Sequence, residues 1–375
     1  MTEQPNTDQP TTDQPTTDQR STDQRSTDPP VARADWSAPV VEPLDAGAMA
    51  AASDRWASRA KPQGSLGRLE QLAVHLAGIT GRCPPPPIER PAVVVFAADH
   101  GVVDSAASAW PSAVTALMVR TMAEGGAAIN ALARTVGAEV HLVDVGVDGD
   151  LTDLAGVAHH KVRRGTGNIV TGPAMTRDQA LAALAAGSAA AVRLAQSGVD
   201  CVVGGDMGIG NTTASAALVA VLTASPADAV TGPGAGLAPD RLPHKRALVA
   251  RAVSRAGAVE DPVELLAELG GLEIAALAGL FVAATVRGVP VVVDGVVAAA
   301  ALCVADRLAP GCAARCVAGH RSTEPAAAAA LAHLGLDPLL DLGLHLGEGT
   351  GACLAIPLLQ AAILALAEMA DLPSP

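Results

Sequence analysis

Five apolar runs along the chain have the pattern of strands that are covered on both faces. Each is a largely continuous stretch rich in valine, and they begin near Ala92, Glu139, Val199, Val289 and Ala314. Alanine- and leucine-rich stretches of helical character lie between them, such as residues 175–197 and 264–286. This alternation predicts an α/β fold, with a mostly parallel, Rossmann-like sheet flanked by helices.

The two ends of the chain have a different pattern. Residues 7–31 consist of five-residue units (TDQPT, TDQPT, TDQRS, TDQRS, TDPPV) that are almost without apolar side chains, so we expect residues 1–34 to be a disordered tail. The remainder, 35–375, is predicted to contain a large α/β part at about 90–335. A smaller helical domain would be built from both chain ends, at about 35–89 and 336–375.

Composition narrows the class of protein. Half of the residues are apolar but aromatics make up 1%, so alanine, valine and leucine must fill the core and helices must approach closely. The net charge of −13 argues against a nucleic-acid partner, since neutralising phosphates needs a basic face. The six cysteines form no CxxC pair, and no zinc-ligand set accompanies them, so we expect reduced, mostly buried thiols and no metal site.

No segment of the sequence indicates a membrane or a secretory route. The N-terminus lacks a basic segment followed by an apolar stretch, so no signal peptide is expected. The apolar run at 271–286 is too short for a membrane span and contains Glu273. We therefore expect a buried helix in a cytoplasmic protein.

Polar residues follow the predicted strands where each of them ends. In α/β proteins the loops at the carboxyl ends of parallel strands form the ligand crevice. The sequence therefore predicts one site lined by the strand-end residues Asp99, His100, Asp144, Asp206, Asp294, His320 and Arg321.

Two glycine-rich segments are candidates for anion binding. GGDMGIGNTT (204–213) follows a strand and opens a helix, where free N–H groups attract a phosphate. It lacks the lysine of a Walker loop, and its alternative role is a tight turn with Asn211 or Thr212 as helix N-cap. VTGPGAG (230–236), with Lys245 behind it, is either a second anion loop or a flexible connector.

Two further strand-end motifs carry ionisable groups. His100 in ADHGVV has the chemistry of a general base or a metal ligand, but a lone loop histidine is more often a hydrogen-bonded structural group, which is the interpretation we favour. In AGHRSTEPA, Arg321 is suited to hold a carboxylate or phosphate with two hydrogen bonds. The same residues also fit a helix start, with Ser322 or Thr323 as N-cap and Pro325 in the first turn.

Glu348 lies between two glycines in LGEGTGA, just before an apolar helix. Partial burial there would raise its pKa and make it a better base. From spacing alone, an exposed turn carboxylate is the favoured interpretation.

Taken together, the motifs resemble one enzyme family. The chain is similar to nicotinate-nucleotide–dimethylbenzimidazole phosphoribosyltransferases, the CobT family, over about residues 45–366. The resemblance rests on ten blocks that occur in order: KPQGSLGRLE, ADHGVV, GGAAIN, VDVGV, GTGNIVTGPAMTRDQA, GDMGIGNTT, GGLEIAALAG, VVDG, GHRSTEPA and LGEGTGA.

The resemblance implies a reaction and a site. Such enzymes transfer the 5-phosphoribosyl group of nicotinate mononucleotide to 5,6-dimethylbenzimidazole, giving α-ribazole 5′-phosphate and nicotinate, for assembly of the lower ligand of cobalamin. The resemblance places the general base at Glu348, implies a homodimer, and requires no metal or redox cofactor. We expect the substrates to be bound by Asp99, His100, Ser108, Trp110, Asp206, Gly208, Gly210, Asn211, Thr212, Thr213, Lys245, Asp294, Arg321, Ser322 and Gly347.

The chain departs from the family pattern at four places. Asp206 stands where glutamate is frequent, GPGAG (232–236) where GRGTG is, Trp110 where tyrosine or phenylalanine is, and Leu117 where glutamine is. These changes bear on the acceptor base and on donor affinity.

Two other functions fit parts of the sequence. A dinucleotide-dependent oxidoreductase fails on spacing, since GGDMGIGNTT is not a GxGxxG motif and no acidic residue ends a following strand. A catalytically silent nucleotide-binding or regulatory protein is compatible with the altered GPGAG loop, but such a protein has no need of Glu348.

Overall fold

The computed structural model of the protein describes residues 36–372, and within them six strands form one parallel sheet. The strand order is β3-β2-β1-β4-β5-β6, and every neighbouring pair is parallel. The strands are β1 Pro91–Ala98, β2 Glu139–Gly146, β3 Val157–His159, β4 Cys201–Met207, β5 Val291–Val293 and β6 Cys316–Ala318. This is the order of dinucleotide-binding folds, so the predicted Rossmann-like sheet is confirmed.

Thirteen α-helices accompany the sheet in the described part of the chain. They are α1 Ala46–Ser58, α2 Arg68–Thr80, α3 Ala113–Ala123, α4 Ala128–Val136, α5 Arg177–Gln196, α6 Asn211–Leu222, α7 Ala227–Val230, α8 Leu242–Ala256, α9 Pro262–Leu269, α10 Leu272–Val286, α11 Val296–Leu308, α12 Pro325–His333 and α13 Thr350–Glu368. Short 3₁₀ turns occur at Gly101–Ser105, Pro239–Arg241 and Ala313–Arg315.

The central strand β1 divides the protein into two hydrophobic clusters. Every residue of β1 is buried, and its side chains alternate between the faces of the sheet. Val94 and Phe96 pack with α5, α6 and α8 to α12, whereas Val93 and Val95 pack with α1 to α4 and α13. Helices therefore cover both faces, as the continuous valine runs predict.

Close helix packing follows from the small side chains. Helices α5 and α10 cross at Gly187 and Gly279, and a Cβ at either glycine would run into the backbone of the other helix at Ala276 or Leu184. The expected close approach of helices is confirmed at this crossing.

Three details differ from the sequence predictions or lie beyond them. The helical stretch 264–286 is two helices, α9 and α10, because the chain turns at Gly270 and Gly271. Strand β3 was not predicted. The tail at 1–34 lies outside the described residues, which all belong to one compact unit. The division into a large α/β part and a smaller helical part stays a prediction.

Helix α13 is long and apolar enough to cross a membrane by length and composition. Its buried residues, among them Ile356, Leu359 and Ile363, pack with α2 and with the sheet. A core helix passes the same test of length and composition, and this packing is that of a core helix.

Candidate active site

The glycine loop after β4 lies at the point where the strand order reverses. Strands β1 and β4 are neighbours whose following connections run to opposite sides, which leaves a crevice at their carboxyl ends. Gly208 passes so close to the carbonyl of Ala98 that a Cβ has no room. Gly210, at φ 97°, is the N-cap of α6, which begins at Asn211. The predicted N-caps Asn211 and Thr212 are therefore wrong by one and two residues, because the left-handed cap conformation favours glycine.

Asp206 is the acid at the end of β4 and is buried beneath this loop. Its Oδ2 accepts a hydrogen bond of 2.8 Å from Nδ2 of Asn211. Burial raises the pKa of Asp206 well above its ordinary value, and the nearby carboxylates of Asp294, Glu273 and Glu348 raise it further. The protonated form is thus favoured.

Glu348 is buried, so the interpretation as an exposed turn carboxylate is wrong. Three successive residues, Gly347, Glu348 and Gly349, have φ of 86°, 62° and 86°. A left-handed conformation is strained for glutamate, and strain of this kind is frequent at functional sites. The backbone of Glu348 also lies against β4, where a Cβ on Gly205 would come within 2.5 Å of its carbonyl oxygen.

The carboxylate of Glu348 points at the beginning of α4. Its Oε2 accepts a 3.2 Å hydrogen bond from the backbone N–H of Ile129, in the first turn of a helix whose N-terminal end is partly positive. Burial raises the pKa of Glu348, the Ile129 N–H lowers it, and the carboxylate of Asp294 raises it, with a net rise. The GGAAIN segment therefore holds the acid without neutralising it.

Asp294, at the end of β5, fixes the loop that carries Glu348. It accepts hydrogen bonds from the backbone N–H groups of Gly349, at 3.2 Å, and Ala352, at 2.9 Å, at the start of α13. Nε2 of His320 lies 3.3 Å from its Oδ1, and both side chains are buried. Asp294 thus works through the backbone, and its predicted contact with substrate stays a prediction.

Lys245 reaches the loops as expected from the sequence. It is 2% exposed, and its Nζ donates a 2.8 Å hydrogen bond to Oγ1 of Thr212. Burial lowers the pKa of Lys245 to about 8, against the opposing effect of Glu324. The nearby Gly234, at φ 61°, leaves no room for a side chain beside Thr212.

Trp110 lies on the outer side of the same loop. Its indole Nε1 donates to the carbonyl of Ala235 at 2.9 Å, and its backbone N–H donates to Oγ of Ser108 at 3.1 Å. The ring is half exposed, at 52%. A flat apolar surface is therefore available beside the 232–236 loop.

Three of the predicted site residues are engaged in structural contacts. His100 Nε2 lies 2.6 Å from Oε1 of Glu273, and both side chains are fully buried. Burial alone would lower the pKa of His100, but the Glu273 carboxylate raises it above its ordinary value. Asp99 accepts a 2.8 Å hydrogen bond from the backbone N–H of Asp148, and burial raises its pKa.

The third residue, Asp144, accepts hydrogen bonds from the backbone N–H groups of Gly146 and Val147. Its other oxygen lies 3.2 Å from Nζ of Lys161. Asp144 at the end of β2 therefore stabilises the turn that follows the strand.

The AGHRSTEPA loop divides its residues between the cleft and the surface. Ser322 is buried and lines the cleft. The side chain of Arg321 is half exposed and pairs with Asp341 at 3.3 Å. Pro325 starts α12 as predicted, but the N-cap is Glu324. Oγ of Ser322, two residues earlier, accepts from the Glu324 backbone N–H and so forms a turn ahead of the helix.

A partly open cleft lies between the loop after β4, the 232–236 loop and the segment that leads to Glu348. The wall ends at Gly347, the residue before Glu348. Among the predicted residues, its walls include Asp206, Gly208, Asn211, Thr212, Ser322 and Gly347. Thr213 is fully buried in α6 and does not reach the wall.

Three residues of this region were missed by sequence reasoning: Glu273, Glu324 and Ile129. Glu273 sits in an apolar helix, which reads as a core pattern, and it pairs with a residue 173 positions away. A lone acid in so apolar a run is itself the signal of a buried partner. Ile129 acts through its backbone, for which the sequence carries no signal.

A Rossmann-like parallel sheet, a glycine loop opening a helix at the switch point and a buried acid beside it define an α/β enzyme that handles a nucleotide. Comparison with known proteins makes this class specific. A family model described as phosphoribosyltransferase matches residues 41–374.

Curated relatives include the nicotinate-nucleotide–dimethylbenzimidazole phosphoribosyltransferase of Mycobacterium tuberculosis, 51% identical over 335 residues that cover 89% of this chain and 92% of the relative. That of Azotobacter vinelandii is 46% identical, over 90% and 96%. The crystal structure of the Thermus thermophilus enzyme of the same name aligns with a TM-score of 0.83 at 46% identity, over 88% of this chain and 97% of that one. The chain belongs to the nicotinate-nucleotide–dimethylbenzimidazole phosphoribosyltransferase family.

Proposed function

We propose that the protein transfers the 5-phosphoribosyl group of nicotinate mononucleotide to 5,6-dimethylbenzimidazole, with Glu348 as the general base. The products are nicotinate and α-ribazole 5′-phosphate, which serves assembly of the lower ligand of cobalamin. Family membership and the names of the relatives support the reaction. The observation that carries the role of Glu348 is its burial, in a strained conformation, next to the glycine loop.

The reaction needs one base and little else. Nicotinate on the ribosyl carbon is a cationic pyridinium, so it departs as a neutral ring nitrogen without an acid. The benzimidazole must lose its N–H proton as its other nitrogen attacks, and Glu348 accepts that proton. Because burial raises the pKa of Glu348, its carboxylate is a stronger base than that of an exposed glutamate.

The phosphate of the donor binds where the N-terminal end of α6 and the ammonium group of Lys245 meet. The turn at Gly208 and Gly210 opens α6, whose N-terminal end is partly positive and attracts an anion. Lys245 and Thr212 meet at the same helix start and supply a charged donor and a hydroxyl. Asp206 and Ser322 line the cleft, and we assign them to the ribose.

The silent nucleotide-binding alternative has no support in the site. A protein that only binds nucleotides has no use for a buried carboxylate in a left-handed backbone conformation, which costs free energy. In an enzyme, both the burial and the backbone conformation of Glu348 serve one proton transfer.

We also propose a cytoplasmic homodimer that binds no nucleic acid. The acidic balance of −13 supports the last point, and family resemblance supports the dimer. Light scattering on the purified protein reports the oligomeric state directly, and a monomer at micromolar concentration would refute the dimer.

The test is an assay with nicotinate mononucleotide and 5,6-dimethylbenzimidazole, following release of nicotinate and formation of α-ribazole 5′-phosphate by chromatography. Both products should appear in equal amounts, and neither should form when one substrate is omitted. Nicotinate release without the acceptor would indicate a hydrolase, and no release under any condition would overturn the proposal.

A further inference from the structure

Glu324 is a buried acid placed inside a region that we assign to a phosphate. It is 5% exposed and precedes α12 as its N-cap. Its Oε1 accepts a 2.8 Å hydrogen bond from the backbone N–H of Gly234. A negative side chain here opposes an anion, so its presence calls for a physical reason.

The glycine loop 232–236 is folded around the Glu324 carboxylate. A Cβ on Gly232 would collide with Oε2 of Glu324, and a Cβ on Gly234 would lie 2.6 Å from Oγ1 of Thr212 and 3.1 Å from Nζ of Lys245. Gly234 therefore stands between the acid on one side and the Lys245–Thr212 pair on the other. The shape of the loop depends on both.

The same carboxylate acts on Lys245 through its field. Burial disfavours the ammonium form of Lys245, and within residues 36–372 Glu324 is the charged group whose field opposes that effect. The ammonium group itself donates its hydrogen bond to the neutral hydroxyl of Thr212. Glu324 is thus an internal counter-charge for this buried cation.

We propose that Glu324 is a positioning residue for the donor phosphate: it holds the 232–236 loop folded through Gly234 and supplies the negative charge beside which Lys245 receives the anion. The inference rests on the proposed function, in which this region binds the phosphate of nicotinate mononucleotide. Glu324 itself does not contact the reacting atoms, so its loss affects the donor and not the acceptor.

The variant Glu324→Gln separates charge from shape. Glutamine keeps an oxygen that accepts from the Gly234 N–H, so the loop is retained, while the field on Lys245 is lost. In the wild type, kcat/KM for the donor should fall as the pH rises through about 8, where Lys245 loses its proton. Without Glu324 the pKa of Lys245 falls, so the decrease in kcat/KM for the donor begins at lower pH. At pH 8 we expect the donor KM to rise about tenfold, with kcat and the acceptor KM within about twofold.

A second readout does not depend on activity. The chain contains three lysines, Lys61, Lys161 and Lys245, so NMR of protein labelled with ¹⁵N at the lysine side chain gives at most three signals to titrate. The signal missing in Lys245→Arg assigns Lys245. Its midpoint should lie at lower pH in Glu324→Gln than in the wild type. Glu264→Gln, which changes a half-exposed carboxylate on α9, is the matched control and should titrate as the wild type does.

The outcomes distinguish this inference from the proposed function. An unchanged Lys245 midpoint in Glu324→Gln, or a loss in kcat without a change in donor KM, overturns the positioning role. A wild type that fails to turn over nicotinate mononucleotide overturns the proposed function, while the titration still decides whether Glu324 controls Lys245.

Discussion

Two regions of the site bury groups of opposite charge. On one side the carboxylates of Asp206, Asp294 and Glu348 crowd together. Their partners within residues 36–372 are backbone N–H groups, the amide of Asn211 and the ring of His320. On the other side a single buried ammonium, Lys245, meets a hydroxyl. Burial raises the pKa of Asp206 and Glu348 and lowers that of Lys245.

Burial thus favours the neutral forms of Asp206, Glu348 and Lys245, and Glu324 opposes that effect at Lys245. The donor of the proposed reaction has the complementary distribution, a phosphate anion at one end and a pyridinium cation at the other. The lysine half suits the phosphate and the acidic half suits the pyridinium. Binding the donor therefore restores the charges that burial disfavours, and it does so in one orientation.

The largest effect should come from breaking the acidic half at Glu348. Glu348→Gln keeps the hydrogen bond from Ile129 but removes the proton acceptor, so kcat should fall by about 10²–10⁴-fold. The donor KM should stay within about threefold, as measured by steady-state kinetics with both substrates varied.

Glu124→Gln, at an exposed position after α3, is the control and should keep wild-type turnover. The fold is checked by thermal unfolding. Glu348→Gln removes a carboxylate that burial disfavours, so at pH 8 its Tm should be at or above that of the wild type. Undiminished turnover in this variant would remove Glu348 from its role.

Removing the charge of Lys245 should weaken binding of the donor and leave binding of the acceptor unchanged. Lys245→Gln removes a charged hydrogen-bond donor, worth about 1.5–3 kcal/mol, so kcat/KM for nicotinate mononucleotide should fall about 10- to 100-fold. Initial rates at varied donor concentration measure it. The acceptor KM serves as the internal control, and equal losses for donor and acceptor would contradict the division of the cleft into two halves.

The backbone contact between β4 and Glu348 allows the position of the base to be tested without changing its side chain. Gly205→Ala places a Cβ within 2.5 Å of the Glu348 carbonyl oxygen, so the base must shift. We expect about a tenfold loss of kcat and a loss of about 1–3 kcal/mol in the free energy of unfolding, measured by kinetics and by urea denaturation.

Gly172→Ala is the matched control, because a Cβ at Gly172 has no neighbour within 4 Å in the described structure. It should change neither quantity. Full activity in Gly205→Ala would show that the position of Glu348 tolerates displacement.

The sequence predicted the parts of this protein that depend on local pattern. Valine runs gave the strands β1, β2, β4, β5 and β6, because strands covered on both faces need continuous apolar side chains. Strand β3, three residues that end in His159, has too short and too polar a pattern. The break between α9 and α10 falls at a glycine pair inside a run that is otherwise helical.

The candidate site was predictable in position and less so in its contacts. The strand-end pattern predicted Asp206 in the site and the second glycine loop suggested Lys245, whereas Glu348 entered only through the family resemblance. The partners were not predictable, since Glu324 bonds a residue 90 positions away and Glu348 one 219 positions away. Such pairings depend on how the strands are ordered, which no local pattern reveals. Likewise, nothing in AGHRSTEPA indicates that Arg321 faces Asp341 at the surface.

The smallest effect is expected at Asp206, in stability rather than in rate. Its folded-state pKa is raised by burial and by neighbouring carboxylates, so the folded protein holds this proton more tightly than the unfolded chain does. The contribution of this proton to the free energy of unfolding is complete below the ordinary pKa of aspartate, about 3.9. It is lost as the pH rises through the raised pKa of Asp206. Asp206→Asn, which mimics the neutral form, escapes that loss.

The Tm of Asp206→Asn relative to the wild type should therefore increase between pH 5 and pH 8, followed by thermal unfolding at a series of pH values. Asp54→Asn, on the exposed side of α1, should unfold in parallel with the wild type throughout. A difference that stays constant with pH would mean that Asp206 remains ionised in the fold. The acidic half would then carry one more negative charge and would attract the pyridinium more strongly than a neutral Asp206 allows.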